Sequence, residues 1–249
     1  MKTAIVTSSD KKYLPGVKAL YSSFVLNNKY ETDFIVFAHG DEKDFKDLDR
    51  KGIRLIFNRE TVDSPRCKLW PVKLPAMYSR LLIPKILSDY DRVLFLDADT
   101  LILKDLKDLF YTDLDNNPCA GITPGNNANI KQSFIPWQLE DERDFPDLKT
   151  TLAIQVGVML IDPKKWLELE LYVLVDNLLL LENTFKFAVQ GVIGVALKGR
   201  FKTIDLKWHG RVSKTSSLEN CHILHYTMAN PWEGETKFKE TWEYFYRRF

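Results

Sequence analysis

Short apolar runs alternate with amphipathic stretches through the amino-terminal part of the chain. The runs at 3–6, 34–38 and 53–57 predict strands, and 34–38 is fully apolar, as is typical of a buried strand in a parallel sheet. The polar cluster at 7–10 predicts a helix start, since Ser, Thr and Asp are favoured caps. The following helix has an apolar face made of Val17, Leu20, Tyr21, Phe24 and Val25. With 41–50 as a solvated second helix, this β-α-β-α-β order predicts a parallel sheet with helices on both faces.

The remainder of the chain shows the same alternation. Residues 93–96 have no polar member, which predicts a strand at the centre of the sheet. Further strands are predicted at 157–161, 201–206 and 223–226. Helices are predicted at 75–88, 166–182, 192–197 and 237–249. Residues 115–150 are rich in Pro, Gly and Asn and predict a long irregular loop. Because no repeat or linker interrupts the pattern, we predict a single domain over 1–249.

Composition narrows the class of protein. The chain has 249 residues, 45% of them apolar, which is enough for the core of a folded domain. Its net charge of +1 argues against a protein that coats nucleic acid. Three widely spaced cysteines indicate reduced thiols rather than a disulfide framework. The amino terminus reads as a strand rather than a signal peptide, and no apolar run approaches the ~20 residues of a membrane span. We expect a cytoplasmic protein, or one peripheral to the cytoplasmic face of a membrane.

The first candidate for a functional site is the pattern Asp-x-Asp. It occurs more than once, so the surrounding sequence must decide which copy is meant. It occurs at 47–49, 89–91, 97–99 and 113–115. Only Asp97 and Asp99 directly follow an apolar strand, and the carboxyl ends of parallel strands are where open α/β sheets bind ligands. Two carboxylates in such a turn suit a hard divalent cation that also holds phosphate oxygens. The alternative interpretation is that Asp99 only caps the next helix.

His225 is the second candidate. It follows the short strand at 221–224, and Pro231-Trp232 comes soon after it, which predicts a rigid turn with an aromatic wall. In an extended segment residues 222 and 225 point to opposite faces, so only one of these histidines faces the site. We interpret His39, His209 and His222 as structural or exposed. Carboxylate and imidazole ligands together favour Mn²⁺ over Mg²⁺, which we keep as the second choice.

Residues 77–106, which include Arg80 and end beyond the Asp97-Ala98-Asp99 turn, resemble the strongest sequence block of the family 8 retaining glycosyltransferases, the glycogenin and lipopolysaccharide galactosyltransferase group. The resemblance covers almost the whole chain. It implies an α/β fold of the GT-A type, a Rossmann-like, mixed and mostly parallel sheet flanked by helices. It also implies transfer of a hexose from a UDP-sugar to a hydroxyl of a glycan, lipid-linked or protein acceptor, with no nucleic-acid partner.

The resemblance assigns roles to residues of this sequence. It implies three metal ligands, Asp97, Asp99 and His225, and a catalytic set of Gln190, Asp97 and Arg80. It implies a nucleotide-sugar site made of Thr7, Ser8, Asp10, Tyr13, Arg80, Asp97, Ala98, Gln155 and Gln190. For Arg80 a second interpretation stays open, namely a helix arginine paired with Asp89 or Asp91. We also expect uridine nucleotides to bind better than guanosine ones.

Three positions depart from the family pattern. Val189 stands where the family has an acid before the glutamine, and Gln155 stands where it has an asparagine. The closing motif is one residue shorter, with Asn230 before the Pro-Trp pair, so the family's diphosphate-binding lysine is missing. Three basic residues are candidate substitutes: Lys214, Lys237 and Arg211. Because no carboxylate nucleophile is evident near Gln190, we expect front-face attack by the acceptor hydroxyl, with the departing phosphate as base.

Two other functions compete with sugar transfer. A catalytically weak or inactive UDP-sugar-binding module is motivated by Val189. A nucleotidyltransferase also uses paired aspartates and a metal, but it predicts a Gly-rich loop, and residues 7–16 contain only Gly16. The carboxyl-terminal aromatic and arginine residues allow an interfacial membrane helix, with a helix packed against the fold as the alternative. The sequence carries no signal for an oligomeric state.

Overall fold

The computed structural model describes residues 1–57, 75–123, 150–168 and 189–249. Its main sheet has seven strands in the order β3-β2-β1-β4-β7-β6-β8. These strands are β1 (Thr3–Asp10), β2 (Asp33–His39), β3 (Arg54–Phe57), β4 (Arg92–Leu96), β6 (Cys119–Ile122), β7 (Gln155–Ile161) and β8 (Lys202–Thr203). A second sheet has the order β5-β10-β9, from β5 (Thr100–Ile102), β9 (Gly210–Arg211) and β10 (Ile223–His225).

Seven α-helices fall in the described residues: α1 (Leu14–Asn27), α2 (Lys46–Arg50), α3 (Pro75–Ile86), α4 (Lys107–Phe110), α5 (Pro163–Glu168), α6 (Val189–Leu197) and α7 (Lys239–Tyr246). Successive residues of the central strand point to opposite faces, as the pleat requires. Val93 and Phe95 join the apolar cluster that includes residues of α3 and α6. Leu94 and Leu96 join the one that includes residues of α1 and α2. The prediction of a central strand covered on both faces is therefore confirmed.

Strand direction makes the sheet mixed. β1, β2, β3 and β4 run parallel to one another, which confirms the predicted β-α-β-α-β unit. β7 is antiparallel to both β4 and β6. In the small sheet β10 is antiparallel to β5 and parallel to β9. The strands β3-β2-β1-β4 therefore form a parallel half of the sheet, and β7, β6 and the short β8, which is parallel to β6, form the other half.

Several predicted boundaries are wrong. β1 continues to Asp10 instead of ending before the polar cluster, because its last residues pair with β2 as far as His39. β6 lies inside the predicted loop 115–150. The predicted strand 201–206 is reduced to β8, since a 3-10 turn starts at Leu206. Val25 is 56% exposed and does not belong to the buried face of α1. Most of the predicted loop and the end of the predicted helix 166–182 lie outside the described residues.

The carboxyl-terminal helix is packed against the fold. Trp242 and Phe245 of α7 are buried in a cluster with Leu224 and Tyr226, and α7 contacts α1. The Tyr226 hydroxyl donates to the Phe238 carbonyl oxygen at 2.6 Å. These contacts favour the packed helix over the interfacial one. None of the helices in the described ranges is long and apolar enough to cross a membrane.

Candidate active site at the carboxyl end of the central strand

The turn Asp97-Ala98-Asp99 follows β4 directly, and hydrogen bonds fix it on three sides. The Asp97 amide donates to the Gly157 carbonyl oxygen of β7 at 2.8 Å. The Asp97 carbonyl oxygen accepts from the Thr100 amide at 3.1 Å and from its hydroxyl at 2.7 Å. The Asp99 carbonyl oxygen accepts from the Tyr226 amide at 2.9 Å. The two carboxylates therefore project from a backbone tied to both sheets.

Asp97, Asp99 and His225 converge on one point. One ligand atom from each lies within 4.8 Å of the other two. His225 Nε2 is 3.2 Å from Asp99 Oδ1 and 3.7 Å from Asp97 Oδ2. Two carboxylate oxygens and an imidazole nitrogen this close together are a donor set that suits a divalent cation. The structure thus brings the three predicted ligands together, and the alternative of Asp99 as a mere helix cap does not account for their convergence.

Gly157 leaves room for this cluster. A Cβ added there would lie 2.3 Å from His225 Cε1 and 2.6 Å from Asp97 Oδ2, far inside normal contact. Gly16 plays the same part at the next residue of the turn, because a Cβ at Gly16 would lie 2.4 Å from the Ala98 carbonyl oxygen. Both positions are glycine because neighbouring atoms already occupy the space that a side chain needs.

Arg80 positions Asp97. Its Nη2 donates to Asp97 Oδ1 at 2.7 Å, and its Nη1 donates to the Val156 carbonyl oxygen at 3.1 Å. The guanidinium also lies over the Phe95 ring, 4.4 Å from its centroid. The alternative pairing of Arg80 with Asp89 or Asp91 is wrong, because those carboxylates pair with Lys2 and Lys164. The guanidinium is buried and anchored on a backbone carbonyl oxygen, so its charge-assisted hydrogen bond to Asp97 fixes the orientation of that carboxylate.

His225 has a second contact that the sequence interpretation missed. Its Nδ1 lies 2.8 Å from His209 Nε2, and both rings are buried. Burial lowers the pKa of His225, but the charges of Asp99 and Asp97 outweigh burial and raise that pKa above its ordinary value. Burial, with His225 and Arg211 nearby, holds the pKa of His209 well below its ordinary value. His209 was interpreted as structural or exposed, and no sequence signal separated it from His222, which packs against Trp208.

The predicted nucleotide-binding residues line the end of β1 and the start of α1. The Thr7 side chain is buried, with no hydrogen-bond partner in the described residues for its hydroxyl. The Ser8 hydroxyl donates to the Ala76 carbonyl oxygen at 2.7 Å. Asp10 Oδ1 accepts from the amides of Lys12 and Tyr13 and so caps the 3-10 turn after β1. The Tyr13 ring meets the Trp232 ring edge-on, with centroids 5.5 Å apart, so Trp232 packs beside the predicted nucleotide-binding residues.

The two predicted glutamines differ in their surroundings. Gln155 is buried at the start of β7, and its Oε1 accepts from the Gly157 amide at 2.8 Å. Gln190 is half-buried in the first turn of α6, and no hydrogen bond within the described part of the chain joins it to the cluster. Beside it, Val189 is buried in the core. Among the candidate substitutes for the missing lysine, Arg211 lies directly across from His225 in the pairing of β9 with β10.

The mixed sheet, with its pair of carboxylates at the carboxyl end of the central strand, has the architecture of the GT-A fold. The sequence model of glycosyl transferase family 8 matches residues 4–236, and the chain belongs to that family. It is therefore an enzyme that transfers a sugar from a donor to an acceptor. This assignment confirms the resemblance seen in the sequence and decides against a nucleotidyltransferase.

Relatives agree with this assignment. The lipopolysaccharide 1,2-glucosyltransferase of Escherichia coli (strain K12) is 28% identical over 249 residues, which cover 90% of this chain and 70% of the relative. The solved galactosyltransferase LgtC, in complex with donor and acceptor sugar analogues, superposes with a TM-score of 0.77 at 18% identity, covering 99% of this chain and 96% of its own. The bifunctional glycosyltransferase WbbM gives a TM-score of 0.80 at 17% identity, and 98% of this chain spans 49% of it. At these identities the two solved structures show the fold alone.

Proposed function

We propose that this enzyme transfers a hexose from a UDP-sugar to an acceptor hydroxyl with retention of anomeric configuration, using Mn²⁺ or, as second choice, Mg²⁺. The observation that carries the proposal is the convergence of Asp97, Asp99 and His225 at the carboxyl end of β4. Ligands bind at this edge in open α/β sheets. The acceptor classes we consider are a glycan, a lipid-linked molecule and a protein.

The chemistry requires stabilisation of a diphosphate leaving group. A divalent cation held by the three ligands would supply a Lewis acid for the negative charge that develops on the leaving oxygen. Arg80 holds the Asp97 carboxylate in place, and Gly157 gives Asp97 and His225 their room. Among the candidate substitutes for the absent lysine, we assign the diphosphate to Arg211, because it pairs with His225 in the small sheet. The protein thus contributes positive charge and fixed carboxylate orientation.

Retention is proposed to follow front-face attack. The first turn of α6 contains no acidic residue, and Val189 is buried among core residues. No carboxylate is therefore supplied by this turn to form a covalent intermediate of the type used by retaining glycosidases. Gln190 is assigned to orient the transferred sugar, and the departing phosphate accepts the proton of the acceptor hydroxyl. An inverted product anomer in NMR spectra would contradict this mechanism.

Nucleotide recognition is assigned to the end of β1. Thr7, Ser8 and Asp10 provide short polar groups, and Tyr13 with Trp232 provides an aromatic wall. This set suits the edge and face of a pyrimidine base. UDP-glucose is the first donor to test, because a relative is named a glucosyltransferase, and UDP-galactose is the second.

The proposal is tested first by nucleotide binding and then by hydrolysis of the sugar donor. UDP and GDP are titrated into the protein by calorimetry, with and without Mn²⁺, and then UDP-glucose hydrolysis is followed without acceptor. We expect UDP to bind much more tightly than GDP, Mn²⁺ to strengthen UDP binding, and slow release of glucose. Equal affinities for UDP and GDP would contradict the uridine assignment. Mn²⁺-dependent UDP binding without any sugar release or transfer would favour the inactive binding module instead.

A further inference from the structure

The contact between His209 and His225 is a hydrogen bond in the plane of the rings. The two ring planes differ by only 21°. The ring centroids are 5.0 Å apart, whereas the two bonded nitrogens are 2.8 Å apart, and the difference is about the width of one ring. The nitrogens therefore lie between the rings rather than one ring lying over the other. His209 is 1% exposed and His225 2%, so water does not compete for this bond.

Backbone pairing holds both rings in place. His209 directly precedes β9, whose residue Gly210 pairs with Leu224 of β10. The Val212 amide donates to the His225 carbonyl oxygen at 2.9 Å. Gly210 permits this approach, since a Cβ there would lie 2.5 Å from Cys221 Sγ. The register of the small sheet thus sets the distance between the two imidazoles.

The bond determines which nitrogen of His225 carries the proton. A neutral imidazole that binds a cation through Nε2 must carry its proton on Nδ1, and that proton needs an acceptor. Within the described residues, His209 Nε2 is the atom in hydrogen-bond reach of His225 Nδ1. A neutral His209 accepts there and keeps its own proton on Nδ1, which has no partner in the described part of the chain.

This orphaned nitrogen argues against a purely structural role. A buried polar atom without a hydrogen bond destabilises the folded state, so an apolar side chain of similar size would pack at least as well. Packing alone therefore does not explain why an imidazole stands at position 209. Its useful feature is the nitrogen that faces His225.

We propose that His209 is a positioning residue, which accepts a hydrogen bond from His225 Nδ1 and so aims the free electron pair of His225 Nε2 at the divalent cation. The inference rests on the proposed metal site and deepens it. It does not require His209 to touch metal or donor. It predicts that any side chain with an acceptor atom at the same reach preserves cation binding, and that an apolar one does not.

The experiment compares three variants of the whole chain. His209→Phe removes the acceptor at similar size, His209→Gln supplies an amide oxygen, and His222→Phe is the matched control against Trp208. Mn²⁺ affinity is measured by electron paramagnetic resonance of the free ion. We expect His209→Phe to bind about 10–100-fold more weakly, His209→Gln to stay within a few-fold of wild type, and His222→Phe to be unchanged.

A second readout needs no variant. Long-range ¹H–¹⁵N spectra of the wild-type chain with saturating Mg²⁺ show which ring nitrogen of His225 is protonated, and we expect Nδ1. Wild-type Mn²⁺ affinity in a folded His209→Phe, or a proton on Nε2 of His225, would overturn the role of His209 while leaving the metal site intact. No cation binding by wild type would overturn the metal site and the role of His209 with it. If His209→Phe fails to fold, the spectra and His209→Gln decide.

Discussion

An Asp-x-Asp pair lies at each end of the central strand β4, and the two ends differ in what surrounds the carboxylates. Before the strand, Asp89 pairs with the Lys2 side chain, and Asp91 accepts from the Lys2 amide and from Lys164. All these side chains are well exposed. Their lysine partners, together with the Lys2 amide at Asp91, lower the pKa of both carboxyl groups. This end of the strand is an ordinary solvated surface.

After the strand, the partners of the carboxylates are buried and come from distant parts of the chain. Arg80 from α3 and His225 from β10 approach Asp97 and Asp99. No flexible lysine of the described residues pairs with them. The same three-letter pattern therefore forms a charged surface at one end of a strand and a convergent donor set at the other. What separates them is strand polarity and the neighbours it brings, not the motif.

The largest effect should come from exchanging a single carboxylate at each end. Asp99→Asn removes a charged ligand, so we expect Mn²⁺ affinity and sugar transfer to fall by more than the ~10–100-fold seen when only outer partners of a metal are disturbed. Asp91→Asn is the same chemical change at the other end. It should leave both unchanged and lower the free energy of unfolding by at most about 1 kcal/mol. Calorimetry measures Mn²⁺ affinity, and denaturant unfolding measures the free energy of unfolding. Equal losses of Mn²⁺ affinity in the two variants would contradict the difference between the two ends of the strand.

A smaller effect should come from adding one methyl group. Gly157→Ala places a Cβ against His225 and Asp97, and such overpacking typically costs about 1–3 kcal/mol, with weaker Mn²⁺ binding as the ligands separate. Gly194→Ala, within α6, is the control because no atom of the described residues lies within 4 Å of the added Cβ. It should stabilise the chain by about 0.5–1 kcal/mol. A Gly157→Ala chain of unchanged stability and Mn²⁺ affinity would show that the site is loosely packed.

The smallest effect concerns backbone strain beside the site. Met228, three residues after His225, has φ of 64° and is 96% exposed. A non-glycine residue in the left-handed backbone region destabilises the folded state by roughly 1–2 kcal/mol. Glycine removes this strain, but the greater entropy of its unfolded chain offsets part of the gain. Met228→Gly should therefore raise the free energy of unfolding by up to about 1 kcal/mol without changing Mn²⁺ affinity. Denaturant unfolding checks this, and a destabilised variant would mean that the exposed side chain makes a stabilising contact.

The sequence predicted the parts of the site that depend on local pattern and strand polarity. An apolar run identified β4, and the rule for carboxyl ends of strands selected Asp97 and Asp99 from four candidate pairs. The period of two separated His225 from His222, and the structure confirms that only His225 faces the cluster. The roles of the nucleotide-binding residues and Gln190 stay predictions.

Other features depend on contacts that local pattern does not encode. A run such as 157–161 is apolar whichever way its neighbours run, so the antiparallel pairing of β7 was not predicted. β9 has only two residues, too few for any periodicity, and its pairing is what brings His209 to His225. The partner of Arg80 was uncertain for the same reason, since Asp97 is reached through the packing of α3 on the sheet and not through sequence proximity.

The three candidate ligands come from the ends of two different sheets and the turn that joins them. Asp97 extends from β4 of the large sheet, whereas His225 lies in β10 of the small one, with Asp99 in the turn between β4 and β5. A bound cation would be a cross-link between the two sheets and between the middle and the carboxyl-terminal part of the chain. By thermodynamic linkage, a cation at 100 times its dissociation constant opposes any opening that separates its ligands by about 2.7 kcal/mol. Cation binding and local opening would then be one linked equilibrium, so the free cation concentration would set how often this corner of the enzyme opens.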